Sequence, residues 1–135
     1  MEKVNLNEKF ALFSDYWSPK IVGELNGQQV KLVKVQGEFT WHHHGQEDKL
    51  FLVIQGQLSI EFRDPVRISF AGREALPERT RTVTLNPGEF IIVPKGVEHK
   101  PVALEEAHVM LLEPVSTLNT GNVVNEKTVA ALQSL

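Results

Sequence analysis

Trp41-His42-His43-His44-Gly45 carries three of the chain's five histidines. On a strand, successive side chains alternate faces, so His42 and His44 point one way while Trp41 and His43 point the other. Two imidazoles on one face come within reach of a single ion. The alternative is a polar strand whose histidines hydrogen-bond or face water. A third, distant histidine favours the ion if the fold brings it across. His99, after the turn Pro94-Lys95-Gly96, is the candidate, whereas His108, on a later strand, is expected to be structural.

The segments around the histidines read as short strands. Asn26-Gly27 is a hairpin signal ahead of a mixed alternation in which Val30 and Leu32 oppose Lys31, Val33 and Val35. Further apolar or alternating runs occupy 38–43, 49–55, 57–63, 82–86, 89–93 and 107–113, punctuated by Gly56, Pro87-Gly88 and Pro94-Lys95-Gly96. So many short strands between Gly/Pro turns predict an antiparallel sandwich or barrel. Before them, Phe10, Phe13 and Trp17 recur at helical steps, with Asn7 as a possible cap and Pro19 as the stop. The tail 126–135 is expected to form a short helix with Val129 and Leu132 inward, or to fray. Phe39, Trp41, Phe51, Phe62 and Phe90 are expected in the core or an interface.

The chain has 135 residues, the size of one domain. A net charge of −3 argues against a nucleic-acid surface, which needs a concentrated basic face. The absence of cysteine excludes disulfides, thiol catalysis and Cys-ligated metals. No apolar run approaches the ~20 residues of a membrane span, and the first residues lack a signal-peptide pattern. A soluble, cytoplasmic domain is therefore expected. All five arginines (Arg63, Arg67, Arg73, Arg79 and Arg81) fall within 63–81, read as an arm between two strands with 66–70 as an extra strand. That arm is a solvated hairpin extension, or it serves an anionic ligand or a partner protein.

Two motifs bear a family resemblance. Gly37, four residues, His42-x-His44 and the closing Gly56 resemble the first motif of the cupin superfamily, which has five residues at the first gap. Gly88, Pro94, Gly96 and His99 match the second motif spacing for spacing, with Ala103 where Asn often stands. The resemblance, to small Cupin_2-like proteins, implies an all-β, single-domain jelly-roll barrel with a short N-terminal helical segment. The domain would run over 1–135 with its core at about 21–115. It further implies that His42, His44 and His99 converge in the barrel mouth as metal ligands, and that the protein is a homodimer.

The resemblance also exposes a departure. The glutamate that completes the usual site belongs at position 49, six residues before Gly56, and Lys49 stands there. An ammonium offers a metal no lone pair and opposes a nearby cation. Asp48 and Glu47 are the neighbouring carboxylates, or water takes the fourth position. A desolvated Lys49 would have a lowered pKa and act as a base or nucleophilic amine; alternatively its stem lies on the barrel wall and its ammonium reaches water. The expected function is binding or turnover of a small polar molecule at a divalent transition metal (Zn, Fe, Ni, Mn or Cu). An enzyme would be a metal-dependent oxygenase, isomerase or lyase. The alternatives are a metal-free ligand-binding or sensor barrel with Lys49 in its pocket, and a protein-interaction module using the 63–81 arm.

Overall fold

The computed structural model describes residues 1–65, 68–70, 73–75 and 78–135. Among these, nine strands form: β1 (Lys20–Leu25), β2 (Gln28–Glu38), β3 (Lys49–Gln55), β4 (Leu58–Pro65), β5 (Ile68–Phe70), β6 (Arg73–Ala75), β7 (Glu78–Leu85), β8 (Phe90–Val93) and β9 (Glu98–Pro114). All named pairings are antiparallel. The main sheet runs β1-β2-β9-β3-β8, and β4 joins β9 to β7, giving the all-β barrel architecture that the turn pattern predicts.

The long strand β9 organises the molecule. Its first part, Glu98–Val102, pairs with β4, and its later part, His108–Leu112, pairs with β3. β2 lies along the other edge of β9, from Gln28↔Pro114 to Glu38↔Val102. Asn26 and Gly27 both take positive φ, 49° and 75°, as a hairpin turn matched to strand twist requires. Gly56 turns β3 into β4 at φ +83°, where a Cβ would come within 2.9 Å of the Glu106 carbonyl oxygen. Only glycine meets both demands.

Period-two alternation fills the barrel. Val33 and Val35 from β2, Phe51 and Val53 from β3, Ile60 and Phe62 from β4, and Val109 and Leu111 from β9 form one buried cluster. Each such side chain gains roughly 1.5–3 kcal/mol from burial. Three charged residues share the same inward rows. Lys31, Lys49 and Glu113 stand in line with Val33, Phe51 and Leu111, and each is at most 5% exposed.

Several local expectations change. The N-terminal helix spans Leu6–Phe10 alone, and its cap is Asn5, whose side chain accepts from Glu8 N–H, rather than Asn7. The helical spacing of Phe13 and Trp17 is not used. Trp17 sits at φ 59°, its backbone N–H donating to Lys34 O and its Nε1–H to Gln36 O, both at 2.9 Å. The 38–43 run leaves the strand after Glu38 and keeps one bridge, His42↔His99. The tail neither coils nor frays: Ser134 bridges Ile21, and Leu135 N–H donates to Ile21 O. Phe90 is 59% exposed, outside the core. In the 63–81 arm, β4 pairs with β7 out to Pro65↔Glu78 and β5 pairs with β6. Arg67, with Val66, lies outside the described residues. Among the described residues, no helix is long and apolar enough to cross a membrane.

Candidate metal centre

His42 and His99 face each other as a hydrogen-bonded pair in an antiparallel bridge. His42 N–H donates to His99 O at 3.0 Å, and His99 N–H donates to His42 O at 2.9 Å. His44 is fixed from the same side, because its carbonyl accepts from Gly96 N–H at 2.8 Å. The Pro94-Lys95-Gly96 turn thus docks directly on the histidine segment. Ring centroids lie 4.3 Å apart for His42 and His99, 5.0 Å for His42 and His44, and 5.7 Å for His44 and His99. One ring nitrogen from each of the three histidines lies within 4.8 Å of the other two, a spacing that could hold one ion.

The donor set suits a metal. Nδ1–H of His42 donates to Thr40 O at 2.7 Å, and Nδ1–H of His99 to Val97 O at 2.8 Å. Those bonds fix the tautomer that leaves a lone pair on Nε2, as in metal-ligating histidines generally. The Nε2 atoms of His42, His44 and His99 are all buried and without a hydrogen-bond partner. Burial, helped by the neighbouring imidazoles and the Lys49 ammonium, pushes His42 down to about 3. Burial and then Lys49 lower His44 to about 2, and burial lowers His99 to about 4. All three are therefore neutral at neutral pH, the state in which imidazole binds a metal.

His43 points away, as alternation requires, and its Nδ1–H donates to Glu98 Oε2 at 2.9 Å. His108 serves structure: its Nε2–H donates to Glu106 Oε2, and its ring stacks on Phe10. Neither nearby carboxylate turns inward. Asp48 is exposed and accepts from Lys95 N–H at 2.9 Å, while Glu47 accepts from Gln46 N–H and Ser116 Oγ–H.

Lys49 does not carry its ammonium to water. Its Nζ lies 3.4 Å from Glu113 Oε2 and over the Phe51 ring. Lys31 holds the other oxygen of Glu113 at 2.8 Å. Sequence reasoning missed both partners, although Lys31 shares its face with Val33 and Val35 and Glu113 shares that of Leu111. Position 113 lies opposite 49 by the β3–β9 register and diagonal to 31 by the β2–β9 register.

A small cavity opens beside His42 and Lys49. Its volume is about 30 Å³, by a measure in which one water takes about 10–15 Å³. Phe39, Phe51, Leu58 and Leu111 make it mainly apolar, Trp17 stacks on Phe39 at its edge, and Asn119 enters from the C-terminal strap. That strap lies on the histidine segment: Asn122 N–H donates to His43 O, and Asn122 Oδ1 accepts from His43 N–H.

Comparison with known proteins agrees with this architecture. Residues 29–115 match the family described as Cupin domain, Cupin_2. A cupin-2 domain containing protein from Shewanella frigidimarina NCIMB 400 shares 45% identity at a TM-score of 0.69, over 82% of this chain and 93% of that one. YdbB of Bacillus subtilis (strain 168), an uncharacterized protein, is 32% identical over 95 residues, 70% of this chain. The match spans 65% of that relative's length, just under two thirds. Hydroquinone 1,2-dioxygenase PnpCD, in complex with Cd²⁺ and 4-hydroxybenzonitrile, shares the fold at 17% identity and a TM-score of 0.60, over 94% of this chain and 72% of that one.

Proposed function

The chain belongs to the Cupin_2 family of cupin domains, and on that premise we propose that it binds a divalent transition metal through His42, His44 and His99 and handles a small molecule beside it. The observation that carries this reading is the set of three buried Nε2 lone pairs without partners. Leaving a buried polar atom unsatisfied costs about 1–3 kcal/mol, and three such atoms converging on one point are best explained by a ligand they share. A bound ion there would polarise an oxygen or lower the pKa of a water. The chain's own residues hold His42 and His99 in a fixed tautomer, set the neutral His44 beside them, and leave the remaining positions to solvent or substrate. The dioxygenase of the same fold, seen with Cd²⁺, is compatible with metal chemistry at such a mouth, but fold alone does not choose the reaction.

The test is metal content by inductively coupled plasma mass spectrometry on tag-free protein. About one ion per chain is expected in the wild type, with under a tenth of that in His42→Ala and His99→Ala. Wild type that stays metal-free after reloading with Zn²⁺, Fe²⁺, Ni²⁺, Mn²⁺ and Cu²⁺ would overturn the proposal.

A further inference from the structure

The charge around the site does not balance. Two ammonium groups, Lys31 and Lys49, face one carboxylate, Glu113, and all three are at most 5% exposed. None of the residues lining the cavity is acidic. One positive charge is thus already in excess, and a divalent ion adds two more. Buried charge is tolerated when it is paired, so the missing negative charge must arrive with the ligand.

We infer that the small molecule held in the cavity beside His42 is a short-chain carboxylate, its headgroup accepting from the Lys49 ammonium and its alkyl part lying against Phe51, Leu58 and Leu111. The inference rests on the metal reading above and adds the class of ligand. The three features of the cavity fit together. Lys49 and Asn119 are polar groups at its wall, the rest of the lining is mainly apolar, and the space admits only a few heavy atoms. Glu113 is the positioning residue. It is locked by Lys31 at 2.8 Å and draws Lys49 more loosely at 3.4 Å, which leaves Lys49 with donors to spare.

The experiment uses the full chain loaded with Co²⁺, with metal content measured before any titration. Acetate and its neutral analogue acetamide are then titrated, read by calorimetry and by the visible absorption of the cobalt. Wild type should bind acetate at least tenfold more tightly than acetamide. Lys49→Met, which leaves the Lys31–Glu113 pair intact, should retain cobalt stoichiometry and lose at least tenfold in acetate affinity. Lys49→Gln checks that the loss follows charge rather than packing, and should behave like Lys49→Met. Equal binding of acetate and acetamide, or acetate affinity unchanged in both variants, overturns the inference while leaving the metal reading standing. If wild type takes up neither cobalt nor any of the five ions of the reloading test, the metal reading fails, and acetate is tested on the metal-free chain by thermal shift. Stabilisation of wild type but not of Lys49→Met would then support the carboxylate site without a metal, and no stabilisation would overturn both.

Discussion

Two buried polar groups lie within this barrel, and they are satisfied in opposite ways. The histidine trio is anchored at its outer nitrogens, with His42 and His99 each donating Nδ1–H to a carbonyl, while every Nε2 is left without a partner. The Lys31–Glu113–Lys49 triad is paired within itself, with Glu113 between two ammonium groups. In the first group His42 and His99 are hydrogen-bonded toward the protein while three Nε2 atoms have no partner. The second is paired through charge, although Glu113 Oε2 also lacks a hydrogen bond, and its charge is unbalanced. The difference separates structure from function within one core: partnered charge holds strands β2, β3 and β9 together, while converging unpartnered lone pairs mark a place for something the chain does not supply.

Removing the shared carboxylate is the hardest test of that contrast. Glu113→Ala strands two buried ammonium groups and should cost about 3–5 kcal/mol, measured by urea unfolding of the metal-free protein. His99→Ala in the same metal-free protein should cost less, about 1–3 kcal/mol, because it removes an unsatisfied acceptor along with its packing. Equal losses would mean that the histidines carry the fold as much as the triad does, and the contrast would collapse.

The second test is pH. In the folded, metal-free chain, His42, His44 and His99 sit at about 3, 2 and 4, against 6.5 for a free imidazole. Below pH 6.5 the unfolded chain takes up protons that the folded chain refuses. The stability these groups contribute is therefore present above 6.5 and lost as pH falls toward 4. The slope approaches ~1.4 kcal/mol per pH unit for each histidine. Urea unfolding at pH 7.5, 6 and 5 should show that decline, and the His42→Phe, His99→Phe double variant, which keeps His44, should remove about two thirds of it. An equal slope in wild type and double variant would show that these imidazoles are not held neutral by the fold.

How much of this was legible in the sequence follows from the range of the interactions. The strands and their turns are readable because alternation and Gly/Pro punctuation are local signals, whereas the convergence of His42, His44 and His99 follows from the family resemblance and not from local pattern. The short helix was overread: the aromatic spacing at Phe10, Phe13 and Trp17 fits a helix, but after Phe10 tertiary hydrogen bonds pull Trp17 into a left-handed conformation against β2. Lys49 was identified as anomalous, yet its partner lies 64 positions away and becomes a neighbour only through the β3–β9 register. A charged residue in an inward row at Lys31 and another at Glu113 were the available clue. Pairing them requires knowing which strands adjoin, and the sequence alone does not say that β9 lies between β2 and β3.

The smallest expected effect concerns the strap that lies on the open group and not on the closed one. Gly121 takes φ +56°, and a Cβ there would collide with the His43 carbonyl oxygen and approach His42 Cδ2 to 3.1 Å. Gly121→Ala therefore adds left-handed strain, about 1–2 kcal/mol, to a backbone clash that only a shift of the strap relieves. Relief would weaken the paired bonds between His43 and Asn122, and with them the hold on His42 and His44 from that side. Hydrogen exchange should quicken at residues 42–44 and 119–125, while amides of β3 and β9 around Lys49 and Glu113 keep their protection. Metal affinity should fall severalfold. The triad sits on the regular strands β2, β3 and β9, so exchange that rises equally at both groups would show that the barrel responds as a single unit.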